Sequence, residues 1–209
     1  MIRAVIFDVD GVLIDSFDAN LKFFQDLMAR CGYESPTRDA FRPLFSVPMR
    51  DVIRILTGLK SEQDVNAIWE IGQTIPAAVE LIHAPSDIQD VIKTLNQDYL
   101  LGIATSRVRS GVYKIPQLAE LKSYFRATVC YEDTIRHKPD PEPLLLAARM
   151  MNVENKECVY IGDAPSDMAA ARAAHMKFIL YHGYALHILD GADAHTDSFA
   201  SLPRLVSLL

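Results

Sequence analysis

The side chains most able to do chemistry in this chain of 209 residues follow short apolar runs. The acidic and hydroxyl residues concerned are Asp8 and Asp10 after residues 3–7, Thr105 and Ser106 after residues 99–104, and Asp163 and Asp167 after residues 158–161. Lys138 lies apart from them, in the segment His137-Lys138-Pro139-Asp140. Ligands bind beyond the carboxyl ends of the strands of a parallel sheet. If the runs are neighbouring strands, four carboxylates, a hydroxyl and an ammonium group meet at one edge.

Carboxylates crowded in this way raise each other's pKa unless a cation offsets their charge. Mg²⁺ prefers oxygen ligands and is commonly held by a few carboxylates together with water and substrate phosphate. The pattern therefore predicts a Mg²⁺ site for phosphate chemistry. One carboxylate can act as a nucleophile that becomes an aspartyl phosphate, and a second as general acid and base. Thr105, the backbone N–H groups near it and Lys138 can stabilise charge on the transferred phosphoryl group.

The elements that position these residues are predicted to be buried strands alternating with helices. Five apolar runs are typical of strands covered on both faces; they are residues 3–7, 99–104, 127–130, 158–161 and 178–181. Between them, helical spacing of apolar residues is found at residues 87–96, 141–151 and 165–175. Strands that alternate with helices indicate an α/β protein with a parallel sheet.

The stretch from residue 16 to residue 84 interrupts that alternation. Its apolar spacing predicts helices at residues 20–31, 49–58 and 62–83, with a division of the last near Pro76. Segments longer than about 15 residues inside an α/β unit usually carry a function of their own. We therefore predict a core domain of residues 1–15 and 85–209 and a helical cap domain of residues 16–84.

Composition argues against several classes of protein. The chain has 21 Lys and Arg against 27 Asp and Glu, whereas nucleic-acid binding depends on neutralising phosphates with basic residues. No apolar run approaches the roughly 18 residues of a membrane span. Asp8 and Asp10 interrupt the N-terminal apolar stretch that a signal peptide would need. Cys31, Cys130 and Cys158 form no CxxC pair, so we expect buried thiols and a cytoplasmic protein.

The sequence resembles the phosphatase branch of the haloacid dehalogenase superfamily on four motifs taken together. They are Phe7-Asp8-Val9-Asp10-Gly11-Val12-Leu13-Ile14-Asp15-Ser16, Gly102-Ile103-Ala104-Thr105-Ser106, Lys138-Pro139-Asp140-Pro141, and Ile161-Gly162-Asp163 followed by Asp167. The resemblance covers nearly the whole chain and implies a Rossmann-like parallel sheet with an inserted α-helical cap of the type called C1. It also implies a Mg²⁺-dependent phosphomonoester hydrolase, similar to phosphoglycolate phosphatases, that acts on a small organic phosphate.

The resemblance assigns roles to the four aspartates. Asp8 would be the nucleophile that becomes an aspartyl phosphate, and Asp10 would be the general acid and base. The metal would be bound by Asp8, the carbonyl group of Asp10 and Asp163, with Asp167 in support. Mg²⁺ is therefore the expected cofactor.

The resemblance also implies contacts with the phosphate and with the rest of the substrate. Thr105, Ser106 and Lys138 would bind the phosphate group. Arg50, in the cap segment Val-Pro-Met-Arg, is the candidate for the non-phosphate end. Members of the family usually have glycine where this chain has His175, after the helix of motif four. A left-handed helix end there would suit histidine less well than glycine.

Simpler structural explanations exist for each residue alone. Thr105 can cap a helix, Lys138 can be a solvated surface lysine, Asp163 can end a strand, and Asp167 can be a first-turn acid favoured by the helix dipole. The presence of all four motifs favours the catalytic interpretation. Three histidines fit no common zinc spacing and are expected at the surface: His182, His187 and His195.

Other functions share parts of the pattern. A sugar phosphomutase of the β-phosphoglucomutase type has the same four motifs. A non-enzymatic phospho-acceptor, such as a receiver domain, also combines Asp, Thr or Ser, and Lys on a parallel sheet, and a silent binding protein can keep the fold. A true dehalogenase lacks the second aspartate, which is Asp10 here.

The expected partner is a small phosphate ester, and neither nucleic acid nor a membrane is expected. Both a monomer and a homodimer are compatible with the sequence.

Overall fold

The computed structural model describes residues 1–184 and 189–209, which form two units. The core unit comprises Met1–Asp15 and Ala84–Leu209, and the helical unit comprises Ser16–His83. Among the described residues, no helix combines the length and apolar character that crossing a membrane requires.

A parallel sheet of six strands forms the centre of the core unit. The strands are β1 Ala4–Phe7, β2 Leu100–Ala104, β3 Phe125–Val129, β4 Cys158–Gly162, β5 Lys177–Tyr181 and β6 Ala194–Thr196. Their order across the sheet is β3-β2-β1-β4-β5-β6, so β1 lies between β2 and β4. The predicted α/β fold is confirmed. The sequence analysis missed β6 because three residues around the exposed His195 have no apolar run.

The helical unit has a hydrophobic core of its own. Its helices are α1 Phe17–Arg30, α2 Arg38–Phe41, α3 Met49–Thr57 and α4 Glu62–Gly72. Each helix contributes a side chain to one buried cluster, including Phe24, Phe41, Ile53 and Ile68. Burying apolar surface in this way stabilises the unit at about 25 cal/mol per Å².

The break predicted near Pro76 is present, since α4 ends at Gly72, but the helix predicted for the rest of residues 62–83 is wrong. The N–H groups of Thr74 and Ile75 bond three residues back in a tightening turn, at 3.0 and 3.1 Å. Pro76 has no N–H group and disfavours helical geometry in the residue before it. The rest of the segment contains only the 3₁₀ turn Val79–Leu81.

Helices cover the sheet of the core unit. They are α5 Ile88–Asp98, α6 Arg109–Val112, α7 Pro116–Leu121, α8 Glu142–Met151, α9 Pro165–Ala173 and α10 Leu202–Ser207. Leu144 and Ala148 of α8 and Ala170 of α9 lie in one buried cluster with Ile6 and Tyr160 of the sheet. This packing fixes the loops that begin α8 and α9.

Several minor expectations were also tested by the structure. Cys130 and Cys158 are buried as expected, but Cys31 is only half-buried because it ends α1. His195 is exposed and His182 half-buried, whereas His187 lies outside the described residues.

Candidate active site

Three predicted site residues stand one position beyond neighbouring strands. The N–H of Asp8, after β1, donates to Ile161 O on β4 at 2.9 Å, and the N–H of Thr105, after β2, donates to Val129 O on β3 at 3.0 Å. Asp163 follows β4. Because β2, β1 and β4 are adjacent, the structure brings all three residues to the same edge of the sheet.

A buried acidic cluster lies at this edge. Asp8, Asp163 and Asp167 each offer a carboxylate oxygen, and these atoms lie within 4.8 Å of one another. Asp8 and Asp163 are each 8% exposed, and Asp167 is fully buried. Ionised carboxylates are rarely buried unless they are paired or bind a metal.

Two glycines make the close packing of this cluster possible. Gly11 has φ +79°, and a Cβ atom there would lie 2.1 Å from Oδ2 of Asp163. A Cβ atom on Gly162 would lie 2.5 Å from Cβ of Asp167. Any other residue at either position would displace a carboxylate of the site, and Gly11 also needs the left-handed conformation that glycine favours.

The Lys138 ammonium group joins two members of the cluster. Its Nζ atom lies 2.7 Å from Asp8 Oδ2, 2.7 Å from Asp167 Oδ1 and 2.9 Å from the Tyr160 hydroxyl. The Lys138 side chain is 5% exposed. An ammonium group has three N–H donors, so these three acceptors use all of them.

The segment around Lys138 is itself held in place. The N–H of Asp140 donates to His137 O at 2.9 Å, and Oδ1 of Asp140 accepts from the N–H of Glu142 at 2.9 Å, at the start of α8. The His137 ring stacks on Tyr131, with centroids 4.0 Å apart. These contacts explain why a lysine next to a proline is directed into the protein instead of into solvent.

Tyr160 is a site residue that the sequence analysis did not identify. It lies on β4, is fully buried, and its hydroxyl accepts from Lys138 and donates to Ala104 O at 2.9 Å. Ala104 directly precedes Thr105, so the hydroxyl links the lysine to the end of β2, directly before the phosphate-binding candidate. A tyrosine inside an apolar strand has the pattern of a core residue, and the sequence carries no signal that separates the two roles.

Both oxygens of Asp167 are occupied by protein groups. Oδ1 pairs with Lys138, and Oδ2 accepts from the N–H groups of Asp163 and Ala164, each at 3.1 Å. The side chain therefore caps the start of α9 and fixes the backbone of Asp163 at the same time. The predicted first-turn helix role and a supporting role in a metal site coexist in this geometry.

The electrostatics of the cluster follow from its burial. Burial raises the pKa of the Asp8 carboxyl to about 7, although Lys138 opposes the shift. Burial and the neighbouring Asp167 and Asp8 also raise the pKa of Asp163 well above its usual value. Burial alone would lower the pKa of Lys138, but Asp167 and Asp8 raise it well above its usual value. Lys138 therefore stays charged, whereas Asp8 and Asp163 keep their protons to a higher pH than ordinary carboxyl groups do.

Asp10 has a cation of its own, Arg107, which the sequence analysis also did not identify. Nε and one terminal nitrogen of Arg107 donate to the two carboxylate oxygens of Asp10, both at 2.7 Å. The backbone N–H of Arg107 donates to the Thr105 hydroxyl at 3.2 Å. Arg107 stands two residues after the threonine of the second motif, next to the similar Arg109, and no pattern separates the two.

The other predicted contacts lie elsewhere. Ser106 is exposed on the loop after β2. Arg50 belongs to the helical unit, where its guanidinium hydrogen-bonds Asn66 and lies 4.9 Å above the centre of the Trp69 ring. Those two contacts hold the Arg50 side chain against α4.

The donor set fits a divalent metal ion. When all four aspartates are ionised, they exceed the two cationic groups, Lys138 and Arg107, by two negative charges, which one divalent cation offsets. Burial first, and the neighbouring carboxylates after it, raise the pKa values of Asp8 and Asp163, and a bound cation would oppose that shift. Carboxylate oxygens are the ligands that Mg²⁺ prefers. The carboxylates of Asp8, Asp163 and Asp167 are the candidate ligands. The oxygens of Asp8 and of Asp167 already accept hydrogen bonds from protein groups.

Comparisons with known proteins extend over both units of the chain. A family model described as haloacid dehalogenase-like hydrolase matches residues 5–181. A phosphoglycolate phosphatase of Xylella fastidiosa (strain 9a5c) is 30% identical over 212 residues, covering 98% of this chain and 91% of that protein. A Clostridium perfringens protein named "Putative pyrophosphatase PpaX" is 26% identical over 204 residues, with coverage of 97% and 94%. A hydrolase structure of subfamily IA from Geobacter sulfurreducens has a TM-score of 0.74 at 28% identity, with coverage of 98% and 96%.

Proposed function

This chain belongs to the haloacid dehalogenase-like hydrolase family, and we propose that it hydrolyses the phosphomonoester bond of a small organic phosphate. The observation that carries the proposal is the buried Asp8 carboxylate at the carboxyl edge of the sheet, 2.7 Å from the Lys138 ammonium and within 4.8 Å of two further carboxylates. A relative named phosphoglycolate phosphatase supports hydrolysis of a phosphomonoester, and one named putative pyrophosphatase supports phosphate release in general.

In the first step of the proposed reaction, a carboxylate oxygen of Asp8 attacks the phosphorus atom. The bond between phosphorus and the ester oxygen breaks, and protonated Asp10 gives its proton to the departing alkoxide. The products of this step are the alcohol and an aspartyl phosphate on Asp8. Asp10 is left as a carboxylate.

In the second step, water attacks the phosphorus of the aspartyl phosphate. The Asp10 carboxylate takes one proton from that water, and the bond between phosphorus and the Asp8 oxygen breaks. Inorganic phosphate leaves, the Asp8 carboxylate is restored, and Asp10 again carries its proton. The two carboxylates therefore return to their starting states.

Lys138 and Thr105 supply positive charge and a hydroxyl donor next to the reacting phosphoryl group. Lys138 has its ammonium against Asp8 already, and charge held in advance at a buried site stabilises a transition state more than it would in water. We propose the exposed Ser106 as a further phosphate contact.

For the metal, we propose Asp8, Asp163 and the backbone carbonyl of Asp10 as ligands. Asp167 supports them through its hydrogen bonds to Lys138 and to the N–H of Asp163. Bound Mg²⁺ supplies positive charge that stabilises the phosphoryl oxygens.

For the substrate, we propose that residues 16–84 act as a cap domain and that Arg50 pairs with a carboxylate or hydroxyl on the non-phosphate end. Arg50→Ala is then expected to reduce turnover of the true substrate far more than turnover of p-nitrophenyl phosphate. Arg54→Ala is the matched control, since Arg54 lies on the same helix and pairs with Asp51 and Glu62. Equal losses on both substrates would contradict the role of Arg50.

The test of the proposed function is a panel of small phosphates with excess Mg²⁺ or excess chelator, which includes 2-phosphoglycolate, pyrophosphate and sugar phosphates. A hydrolase releases inorganic phosphate with Mg²⁺ only, and Asp8→Asn abolishes the release. Conversion of a sugar phosphate to its isomer without release of phosphate would indicate a phosphomutase instead. Binding without turnover would indicate a phosphate-binding protein.

The free thiols fit a reducing compartment, so we propose that the reaction takes place in the cytoplasm.

A further inference from the structure

We propose that Arg107 is the positioning residue of Asp10, and that it holds that carboxylate in the orientation needed for proton transfer. The inference rests on the proposed role of Asp10 as general acid and base. Nε and a terminal nitrogen of Arg107 bond one carboxylate oxygen each, both at 2.7 Å. A planar guanidinium that binds both oxygens fixes the plane of the carboxylate, which a single ammonium contact cannot do.

The loop that carries Arg107 is anchored on both sides of the residue. The backbone N–H of Arg107 donates to the Thr105 hydroxyl at 3.2 Å, and its carbonyl accepts from the N–H of Tyr131 at 2.9 Å. The Arg107 side chain is 20% exposed and that of Asp10 is 26% exposed. An arginine fixed at its backbone and paired at both guanidinium contacts is a rigid support for the Asp10 carboxylate. When Asp10 takes up a proton, the contact to the protonated oxygen opens and the contact to the other oxygen keeps the side chain in place.

The two catalytic candidates therefore have separate cations. Lys138 pairs with Asp8 and with Asp167, whereas Arg107 pairs with Asp10. This arrangement lets Asp10 keep its orientation when Asp8 becomes an aspartyl phosphate and Lys138 contacts the phosphoryl group. Arg107 therefore supports the proton-transfer group Asp10, and Lys138 independently supports the nucleophile Asp8.

The consequence is a dependence on the leaving group. An alkoxide needs a proton as it departs, whereas p-nitrophenolate is a weak base and leaves without one. A residue that acts only through Asp10 therefore contributes little to transfer of the phosphoryl group from p-nitrophenyl phosphate to Asp8. The same residue does contribute to transfer of the phosphoryl group from an alkyl phosphate. For every substrate it also contributes to the later hydrolysis of the aspartyl phosphate.

The experiment compares Arg107→Met with Asp10→Asn and with the double variant, by rapid-mixing kinetics with p-nitrophenyl phosphate and glycerol phosphate. We expect Arg107→Met to slow phosphoryl transfer from glycerol phosphate about 100-fold, within the usual range for acid–base catalysis. With p-nitrophenyl phosphate we expect a burst of nitrophenolate slowed less than about threefold, followed by slow turnover with phosphorylated enzyme present. The double variant should be no slower than Asp10→Asn alone.

Arg109→Met is the matched control, because Arg109 lies two residues along the chain, is exposed, and its guanidinium pairs with Asp133 instead of Asp10. It should leave all of these rates unchanged. If Arg107→Met does not fold, Arg107→Lys is used instead, because lysine keeps the charge but loses the second contact. In that variant we expect phosphoryl transfer from glycerol phosphate to be slowed about tenfold, again with little effect on the nitrophenolate burst. Two results would overturn the inference but leave the proposed function intact, provided that Asp8→Asn is inactive. One is equal slowing with both substrates, and the other is a loss of rate in the double variant that equals the product of the two single losses. An active Asp8→Asn variant would instead overturn the proposed function.

Discussion

The Nζ atom of Lys138 lies 2.7 Å from Oδ2 of Asp8, and the two side chains are only 5% and 11% exposed. Removing one partner of a buried ion pair leaves an uncompensated charge and typically costs about 3–5 kcal/mol. The pair also brings the positive charge of the site into contact with the proposed nucleophile. Stability and activity are therefore linked at this residue.

Lys138→Met is expected to lower the free energy of unfolding by about 3 kcal/mol and to reduce kcat/KM at least about 100-fold. Urea unfolding and steady-state kinetics measure the two effects. The control is Lys177→Met, which breaks an exposed pair with Asp193 at 2.6 Å and should cost less than about 1 kcal/mol. Similar losses in the two variants would contradict the special position of Lys138.

The raised pKa of Asp8 predicts how Mg²⁺ binding depends on pH. The folded protein keeps the Asp8 proton up to about pH 7, while the unfolded chain loses it near the ordinary value of 3.8. Without metal, this group therefore makes the protein less stable as the pH rises between those values. Mg²⁺ must displace this proton, and the raised pKa of Asp163 adds a second one, so its affinity should increase at least about tenfold per pH unit up to about pH 7.

Thermal unfolding with and without Mg²⁺, at about pH 5.5, 6.5 and 7.5, measures this linkage. The shift in Tm caused by Mg²⁺ should grow across the series. Asp163→Asn is the control, because it removes one proposed ligand with little change in shape and should abolish the shift. A shift that is independent of pH, or one that persists in Asp163→Asn, would place the ion elsewhere.

Tyr160→Phe removes only the hydroxyl that links Lys138 to Ala104 O. The variant leaves one ammonium N–H and one carbonyl without their partner, which costs about 1–3 kcal/mol in buried surroundings. We expect a loss of kcat of about tenfold, because Lys138 is less firmly held. Tyr113→Phe is the control, since it removes a hydroxyl bonded to Thr128 at 2.7 Å and should leave kcat unchanged. An unchanged kcat in Tyr160→Phe would show that the hydroxyl is structural only.

His175 follows α9 with φ +57°, the left-handed conformation that the sequence analysis anticipated. His175→Gly is expected to raise the free energy of unfolding by about 0.5–1 kcal/mol, since glycine relieves the strain but loses more entropy on folding. Asn152, at the end of α8 with φ +56°, provides the control. Asparagine tolerates this conformation, so Asn152→Gly should change stability less. Urea unfolding of both variants measures the difference, and a larger gain in Asn152→Gly would contradict the explanation.

The positions of Asp8, Thr105 and Asp163 could be predicted from the sequence because each directly follows an apolar strand. Adjacent parallel strands place such residues at one edge whatever the details of packing. Lys138 could be predicted only from its motif, since its burial depends on the contacts of His137 and Asp140. The sequence therefore indicates the acidic edge better than the cations that support it.

Arg107 and Tyr160 could not be predicted, for different physical reasons. Arg107 lies on the loop after β2 and Arg109 lies two residues later, at the start of α6, and only the backbone conformation there directs the first toward Asp10 and the second toward Asp133. Tyr160 has the pattern of a core residue, and its role depends on two partners that are distant in sequence. The break near Pro76 could be predicted because proline ends helices, whereas the end of α4 at Gly72 and the 3₁₀ turn in place of a second helix could not.

Phosphorylation of Asp8 during turnover is the step on which the proposed function depends. Acid quenching of the Asp10→Asn variant during reaction with p-nitrophenyl phosphate and Mg²⁺, followed by peptide mass spectrometry, detects it. We expect one added phosphoryl group on the peptide that contains Asp8, with none in Asp8→Asn treated in the same way. A nitrophenolate burst without a phosphorylated peptide, or phosphate found on another residue, would contradict it.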